Sequence, residues 1–297
     1  MRKWIARGAV GLTVLVSGAG AAFMVLAEMG ERKLTRRIDV AVAPVAFRSD
    51  AASIERGAYL FKSRGCADCH GADGAGHVVV DDGKGLLVRA PDITPAPNGV
   101  VAAYAPADWV RTVRHGVKPD GTPVMIMPSE DYNRLVDADL AAVVAYARQL
   151  PASKGAKAEI RLPMPVKALY AAGVFKDSSE KIDHSLPPAQ PVPEGITPAH
   201  GAYVANGCIG CHGAKLAGGK IPGAPPDWPP AARLTPGPGG ALDRYPTAEQ
   251  FMAMLKSGKR PDGSSVSTVM PFASLKEMNE VDVRALYLHL RSLPAGS

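Results

Sequence analysis

The sequence predicts an all-α protein in which two tandem helical domains follow an N-terminal transmembrane helix. Three observations lead to this fold class. A run of twenty residues without a charge lies close to the N-terminus, from Gly8 to Ala27. Apolar residues in the body of the chain recur at the i, i+4 spacing of a helix face. A set of short motifs occurs twice, the second copy 142 to 144 residues after the first, which indicates a duplication.

The N-terminal segment has the length and composition of a membrane anchor. Twenty helical residues rise about 30 Å, the thickness of the hydrocarbon core of a bilayer. A cleaved signal peptide is the alternative, with a cleavage site at Ala19-Gly20-Ala21. The apolar run continues past that site to Leu26, which favours a retained anchor over residues 1–30 and a juxtamembrane linker over residues 31–51. If the basic N-terminus stays in the cytoplasm, the rest of the chain lies in the periplasm.

The repeated motifs define two domains, residues 52–151 and residues 195–297. Gly-Ala-Tyr, Cys-x-x-Cys-His, Pro-Asp-Gly, Met-Pro and Leu-Pro follow one another in the same order in both. The first copies begin at Gly57, Cys66, Pro119, Met127 and Leu150, and the second copies at Gly201, Cys208, Pro261, Met270 and Leu293. Between the domains, residues 152–194 include the Pro-rich stretch "SLPPAQPVPEG", which predicts a stiff, extended connector.

Each domain is predicted to consist of helices separated by Gly- and Pro-rich loops. Ser53 and Thr197 are the predicted N-caps of the first helices, and Pro198 takes the first helical position in the second copy. The middle helices present apolar pairs at i, i+4 spacing, namely Trp109 with Val113 and Phe251 with Leu255. The last helices are predicted from about Asp137 to Leu150 and from about Asn279 to Leu293, each followed by a proline.

The four cysteines of the chain all belong to the two motifs "GCADCHG" and "GCIGCHG". Cys-x-x-Cys-His is the attachment signature of c-type haem. Two thiols on one side of a helical turn, Cys66 with Cys69 and Cys208 with Cys211, can form thioethers to the vinyl groups of the porphyrin. The next residue, His70 or His212, then supplies an axial nitrogen to the iron. A zinc site, a redox dithiol or a disulfide would explain neither the repeated histidine nor the downstream repeat.

A second axial ligand is predicted from the Met-Pro repeat. Met127 lies 57 residues after His70, and Met270 lies 58 residues after His212. A thioether ligand stabilises ferrous iron and raises the reduction potential, which suits electron transfer. Met125 is an alternative in the first domain, but only Met127 is in register with the Met-Pro repeat.

These features resemble a known family. Both domains resemble class I cytochrome c domains, and residues 52–296 resemble the membrane-anchored cytochrome c subunits of periplasmic dehydrogenases that oxidise alcohols, aldehydes or sugar acids. The match is densest in "PDITPAPNGV", in "KSGKRPDGSSVSTVMPFASL" and around "DWVRTVRHGVKPDG". The resemblance implies two covalently bound haem c groups, and a proline carbonyl near Pro91 or near Pro225 that orients the axial histidine. Those subunits carry three haem domains, whereas this chain has two.

The sequence therefore predicts a membrane-tethered dihaem cytochrome c of the inner membrane that relays single electrons in a respiratory chain. The donor would be a periplasmic dehydrogenase or another respiratory donor, and the acceptor a cytochrome, an oxidase or a quinone-linked protein. No catalytic residues are predicted, because iron with six ligands has no vacant site for a substrate. The alternative is a dihaem enzyme of the peroxidase or thiosulfate-oxidising type, which needs one open haem site.

The remaining charged and histidine residues indicate no further function. The formal net charge of +6 arises mainly at the N-terminus, and no basic stripe interleaved with aromatic residues is present, so nucleic acid is not a predicted partner. The other histidines do not recur at matched positions and are predicted to be surface or hydrogen-bonded residues. They are His77, His115, His184, His200 and His289.

Overall fold

The computed structural model describes residues 2–187, 189–225 and 227–296, with the backbone alone for residues 2–12. Pro188 of the Pro-rich stretch lies outside the described residues. Helix α1 spans Arg2–Leu34, which is longer than the predicted anchor. Its segment Thr13–Leu34 is long and apolar enough to cross a membrane, and its side chains are mostly exposed. A signal sequence has the same property.

Domain 1, the unit of residues 52–151, contains five helices. They are α2 (Ala51–Ser63), α3 (Cys66–His70), α4 (Pro106–His115), α5 (Ser129–Tyr132) and α6 (Asp137–Ala147). The N-cap of α2 is Asp50, whose side chain accepts the backbone N–H of Ser53, so the predicted N-cap at Ser53 is wrong by three residues. The reason is that the carboxylate of Asp50 reaches the third N–H of the helix, and Ser53 itself already lies in the first turn.

Domain 2 repeats the same order of elements. Its helices are α8 (Pro198–Ala205), α9 (Ile209–His212), α10 (Ala248–Ser257), α11 (Phe272–Leu275) and α12 (Glu280–Ser292). Thr197 caps α8, with Pro198 at the first helical position, as predicted. Phe251 and Leu255 are buried in the apolar core together with residues of α12, which confirms the predicted inner face of the middle helix.

The first and last helices of each domain cross at a glycine. A Cβ atom on Gly57 would lie 1.9 Å from the carbonyl oxygen of Ala142 in α6, and one on Gly201 would lie 1.9 Å from that of Ala285 in α12. Only a residue without a side chain permits this approach. The repeated Gly-Ala-Tyr triplet therefore begins with the residue that sets the distance between the two helices.

The prediction that the chain is all-α is only partly correct. The structure is mostly helical, but it also contains three short strands, β1 (Val78–Asp81), β2 (Leu87–Arg89) and β3 (Glu159–Arg161). They form an antiparallel sheet in the order β1-β2-β3. The first two strands lie in a stretch whose Gly and Pro content predicts a loop. The backbone groups of β2 pair with β1 on one side and with β3 on the other. Because β3 comes from the linker, about seventy residues later, a local sequence pattern does not indicate this pairing.

The linker between the domains folds onto domain 1 and onto α1. Its helix α7 (Met164–Ala171) packs against the last turns of α1, where a Cβ atom on Gly30 would lie 2.1 Å from the carbonyl oxygen of Lys167. The guanidinium of Arg36 lies 2.6 Å from the buried carboxylate of Asp177 and donates a 2.7 Å hydrogen bond to the hydroxyl of Tyr170. Polar and apolar contacts thus attach α1 to the linker.

We expect Gly201→Ala to destabilise domain 2, because the added methyl group would overlap the carbonyl oxygen of Ala285. Overpacking of this kind costs about 1–3 kcal/mol. The free energy of unfolding would be measured by urea denaturation of the haem-loaded protein, followed by far-ultraviolet circular dichroism. Gly195→Ala is the matched control, since the nearest atom to its added Cβ would be 4.0 Å away. Equal stabilities of the two variants would contradict the proposed role of the glycine crossing.

Candidate haem-binding sites

The two motif histidines occupy equivalent places at the ends of α3 and α9. Nδ1 of His70 lies 3.0 Å from the carbonyl oxygen of Pro91, and Nδ1 of His212 lies 2.7 Å from that of Ala232. A carbonyl oxygen can only accept, so Nδ1 carries the proton and Nε2 keeps its lone pair. Burial lowers the pKa of both imidazoles. Both histidines are therefore prepared as neutral ligands that bind iron through Nε2.

The prediction that a proline carbonyl orients the motif histidine is confirmed at Pro91 in domain 1. It is wrong at Pro225 in domain 2, where the carbonyl of Ala232 contacts His212 instead. The position is set by a glycine six residues after each histidine, Gly76 or Gly218, both of which have a positive φ. A Cβ atom on Gly218 would lie 2.7 Å from the carbonyl oxygen of Ala232. Any residue can supply a backbone carbonyl, so residue type does not reveal which one is used.

The four motif cysteines are free thiols and form no disulfide. Burial raises the pKa of Cys66 and of Cys208 to about 12. Among the described residues, no group of three or more His, Cys, Asp or Glu side chains is arranged to hold a metal ion.

The two neighbouring methionines of domain 1 have different surroundings. Met125 is 6% exposed and packs in an apolar cluster with Leu162 and Tyr170 of the linker. Met127 is partly buried, and its carbonyl oxygen accepts the N–H of Ser129 at 2.7 Å. Met270 has the equivalent turn, with the N–H of Phe272 donating at 2.8 Å, and packs against the core of domain 2. Packing in the apolar cluster therefore explains the burial of Met125. The repeated turn makes Met127, rather than Met125, the structural counterpart of Met270.

The two domains contact each other through a pair of equivalent carboxylates at the starts of α6 and α12. The hydroxyl of Tyr59 donates to Asp282 across the interface at 2.6 Å, and the hydroxyl of Tyr203 donates to Asp139 in the opposite direction at 2.7 Å. Each tyrosine comes from the repeated Gly-Ala-Tyr triplet. Each domain thus donates a tyrosine hydroxyl to the carboxylate of the other domain, and the two contacts are related by approximate two-fold symmetry.

Charged side chains neutralise both carboxylates. Arg56 donates two hydrogen bonds to Asp139, at 2.9 and 3.1 Å. Asp282 is fully buried and contacts Arg64 at 2.5 Å and Nε2 of His200 at 2.7 Å. Burial alone would raise the pKa of Asp282, but the charge of Arg64 and the hydrogen bonds from its neighbours hold that pKa below its ordinary value. The interface therefore contains an ionised carboxylate with its partners in place.

Both Cys-x-x-Cys-His motifs lie at this interface. The N–H of Gly210, inside the second motif, donates to Asp131 of α5 in domain 1 at 2.8 Å. Asp131 is largely buried, which raises its pKa to about 7. In the equivalent place, α3 of the first motif contacts α11 of domain 2, and a Cβ atom on Gly65 would lie 3.5 Å from Oδ2 of Asp68 and 3.7 Å from Oγ of Ser274. Each attachment segment is thus in contact with the other domain.

Sequence reasoning misses the interface residues. Asp139 and Asp282 recur at an offset of 143 residues, so the repeat contains a signal for them. Acidic residues in the first turn of a helix are common, however, because they interact favourably with the helix dipole. Two of the other histidines, predicted to be surface or hydrogen-bonded residues, have polar partners. His200 bonds to Asp282, and Nδ1 of His115 lies 3.0 Å from that of His184.

Comparison with known proteins identifies both halves of the chain. Residues 52–146 match the family model described as cytochrome c oxidase, cbb3-type, subunit III, and residues 198–294 match the model described as cytochrome c. The chain contains two cytochrome c domains. The cytochrome c matches, together with the paired histidines, cysteines and methionines, agree with two covalently bound haem c groups.

Several known proteins are similar in sequence to this dihaem cytochrome c. The fructose dehydrogenase cytochrome subunit of Gluconobacter japonicus is 26% identical, over 82% of this chain and 53% of the relative. The alcohol dehydrogenase (quinone) cytochrome c subunit of Gluconacetobacter polyoxogenes is 27% identical, over 83% of this chain and 57% of the relative. This chain therefore spans about half the length of these subunits. A diheme cytochrome c-type protein of Cereibacter sphaeroides is 26% identical, over 93% of this chain and 97% of the relative.

Acid is expected to weaken the domain interface through Asp282. Because the pKa of this carboxyl in the folded protein lies below its ordinary value of 3.8, the carboxylate contributes stability above that pH and loses the contribution as the pH falls through the folded-state pKa. Asp282→Asn removes this dependence. Urea denaturation between about pH 5 and pH 3 should therefore give a shallower loss of stability than in the wild type.

The matched control for this experiment is Asp243→Asn, at an exposed position in the same domain. This variant should retain the wild-type dependence of stability on pH. If the stability of Asp282→Asn falls with decreasing pH as steeply as that of the wild type and of Asp243→Asn, the ionised carboxylate is not a source of acid sensitivity.

Proposed function

We propose that this protein is a membrane-tethered dihaem cytochrome c that relays single electrons between a respiratory donor and a downstream respiratory acceptor. The observation that carries the proposal is the placement of both attachment motifs in one interface, each in contact with the other domain, Gly210 with Asp131 and α3 with α11. This arrangement favours electron exchange between the two domains within a single chain. Electron transfer between the two domains would then not require one domain to diffuse towards the other.

We assign the ligands of both haem groups on the basis of the repeated geometry. Cys66 and Cys69, and in domain 2 Cys208 and Cys211, would form the thioethers. His70 and His212 would bind iron through Nε2, because Nδ1 of each donates to a backbone carbonyl. Met127 and Met270 would supply the second axial ligand. The bound haem supplies the one-electron chemistry, since its iron changes between the ferric and ferrous states.

Backbone carbonyls and side chains of the protein would hold the ligands in place. The carbonyl oxygens of Pro91 and Ala232 orient the imidazole rings and increase their basicity as ligands. The methionine sulfur atoms of Met127 and Met270, as iron ligands, would favour ferrous iron and raise the reduction potential. The interface carboxylates Asp139 and Asp282 keep the two domains in a fixed relation. All these roles fit electron transfer, in which the iron keeps six ligands and no substrate enters.

A dehydrogenase is the proposed electron donor. The relatives include the cytochrome subunits of a fructose dehydrogenase and of an alcohol dehydrogenase. They also include one component of the nicotinate dehydrogenase of Pseudomonas putida, which is 28% identical over 82% of this chain and 21% of the relative. On this proposal the chain is an electron-transfer component or partner rather than the catalytic one. A cytochrome, an oxidase or a quinone-linked protein would accept the electrons.

The proposed tether is helix α1, with the haem domains in the periplasm and the anchor in the inner membrane. The segment Thr13–Leu34 has a mean hydropathy of 1.5 and is 11% buried. Its end is attached to the folded linker through Gly30 and Arg36. A helix that served only as a cleaved signal would not need these contacts, and they support retention of α1 in the mature protein.

The ligand assignment is tested by carbon monoxide binding to the reduced protein, followed by visible spectroscopy. We expect the wild type not to bind carbon monoxide, and Met127→Leu or Met270→Leu to bind about one molecule per chain at a lowered reduction potential. Met125→Leu is the control, because this volume-conserving change affects a residue of the apolar cluster. Ready binding by the wild type would indicate an open haem site and would favour the dihaem-enzyme alternative.

The tether is tested by fractionation of cells that express the full chain. We expect the haem-stained protein to stay in the membrane after washing with high salt, and its intact mass to include residues 1–30. Deletion of residues 1–35 behind a cleavable export signal should release a soluble protein with two haem groups. A mature protein that begins after Ala21 and is soluble would rule out the anchor.

A further inference from the structure

The linker covers the groove of domain 1 beside the loop that carries Met127. The N–H of Ser178 donates to the carbonyl oxygen of Val124 at 3.0 Å, and its hydroxyl donates to the carbonyl oxygen of Met127. Ser178 is fully buried, and a Cβ atom on Gly116 would lie 2.8 Å from its Cβ atom. A serine from outside the domain thus contacts this loop at its start and at the backbone of the proposed axial ligand.

The same place is filled differently in domain 2. Ser129 and Phe272 are equivalent, because each begins the helix after the Met-Pro motif and donates its N–H to the carbonyl oxygen of the methionine. In domain 2, a Cβ atom on Gly258, the counterpart of Gly116, would lie 3.4 Å from the ring of Phe272. In domain 1, the smaller side chain of Ser129 leaves this place to the linker. Domain 1 therefore depends on the linker for a contact that domain 2 makes with its own side chain.

Further contacts fasten the linker on both sides of the methionine loop. We call residues 177–184 the covering segment. Lys181 of this segment forms a 2.7 Å ion pair with Glu130 in α5, which follows the loop. Nδ1 of His184 lies 3.0 Å from Nδ1 of His115 at the end of α4, which precedes the loop. The covering segment thus extends between the two helices that flank the loop, and its position is linked to the conformation of the loop.

The neighbours of Ser178 connect the covering segment to the end of α1. The guanidinium of Arg36 lies 2.6 Å from the carboxylate of Asp177, which is fully buried, and donates to the hydroxyl of Ser179 at 3.2 Å. A buried carboxylate without its cationic partner is costly, so the ion pair with Arg36 favours the observed position of the segment. One arginine after α1 therefore holds the residues on either side of the serine that contacts Met127.

We propose that Ser178 is a positioning residue for Met127, and that Arg36 acts on the same ligand through Ser178. The two hydrogen bonds from Ser178 hold the loop in one conformation, which reduces the entropic cost of keeping the methionine sulfur on the iron. The second axial ligand of the first haem then depends on the linker, whereas that of the second haem depends on domain 2 alone. This inference rests on the proposed function, in which Met127 binds iron.

Competition between imidazole and methionine for ferric iron tests the proposal with the full-length, haem-loaded protein in detergent. Imidazole replaces a weakly held methionine sulfur, and visible spectroscopy follows the exchange. We expect Ser178→Ala to raise the affinity of one of the two haem groups for imidazole about fivefold, because a hydrogen bond that holds the loop is lost. Ser53→Ala is the matched control, since this buried serine of domain 1 donates its hydroxyl to Asp50 instead. Both affinities should be unchanged in the control.

A double-mutant cycle assigns the effect to the first haem. In Met127→Leu the proposed ligand is already absent, so the additional change Ser178→Ala should alter the imidazole affinity by less than about twofold. In Met270→Leu, which opens the second haem, the effect of Ser178→Ala should persist at about fivefold. A serine that merely stabilised the fold would not show this dependence on Met127. The visible spectrum and the haem content verify that each variant is folded and loaded.

Arg36→Gln provides a second test, and it leaves the covering segment and the methionine loop unaltered. This change should raise the imidazole affinity of the first haem at least about twofold, because Asp177 loses its cationic partner. Arg32→Gln is the matched control, since it removes an exposed ion pair with Glu28, and it should leave the affinity unchanged. The test remains decisive if Ser178→Ala does not yield folded protein.

Three results would overturn the proposal. They are equal effects of Ser178→Ala and Ser53→Ala, an undiminished effect of Ser178→Ala in Met127→Leu, and unchanged imidazole affinity in both Ser178→Ala and Arg36→Gln. Failure of the ligand assignment is recognised separately, because Met127→Leu would then leave the imidazole affinity as it is in the wild type. If only the positioning role fails, Met127→Leu still raises that affinity, so the two failures are distinguishable.

Discussion

The arrangement of the two haem domains depends on two buried carboxylates, Asp139 and Asp282. Each lies in the first turn of the last helix of its own domain and accepts a hydrogen bond from the hydroxyl of a tyrosine of the other domain. A buried carboxylate without partners is costly, so the guanidinium groups of Arg56 and Arg64 are as necessary as the tyrosines. The pairing of Asp139 with Arg56 and of Asp282 with Arg64 therefore stabilises the interface. Its geometry brings both attachment motifs to the boundary between the domains.

The same interface shows how a duplicated domain can be paired with its own copy. The Gly-Ala-Tyr triplet has two roles in each domain. Its glycine lets the first helix approach the last helix, at Ala142 or Ala285, and its tyrosine crosses to the opposite carboxylate. One short motif thus links the packing inside a domain to the contact between domains. This double role accounts for the recurrence of the triplet in the duplication.

Outside the interface, the two domains have diverged in their surroundings. The linker contributes β3 to the sheet of domain 1, covers the groove beside Met127 and attaches to helix α1 through Asp177 and Arg36. Domain 1 is therefore the part of the protein that is fastened to the N-terminal helix. In domain 2, the ring of Phe272 lies against Gly258, the counterpart of Gly116.

The sequence by itself determined the chemistry of the two sites and the helical order of each domain. Haem attachment depends on five consecutive residues, and the Met-Pro register and the N-cap at Thr197 are also local, so they can be recognised without a structure. Only the tertiary structure decided that Ala232 rather than a proline orients His212, that Met125 belongs to an apolar cluster, and that the stretch after His70 forms strands. It also decided the contact of Tyr59 with Asp282, residues that are 223 positions apart. These features depend on backbone carbonyls and on contacts between distant segments, and no short pattern of residue types specifies them.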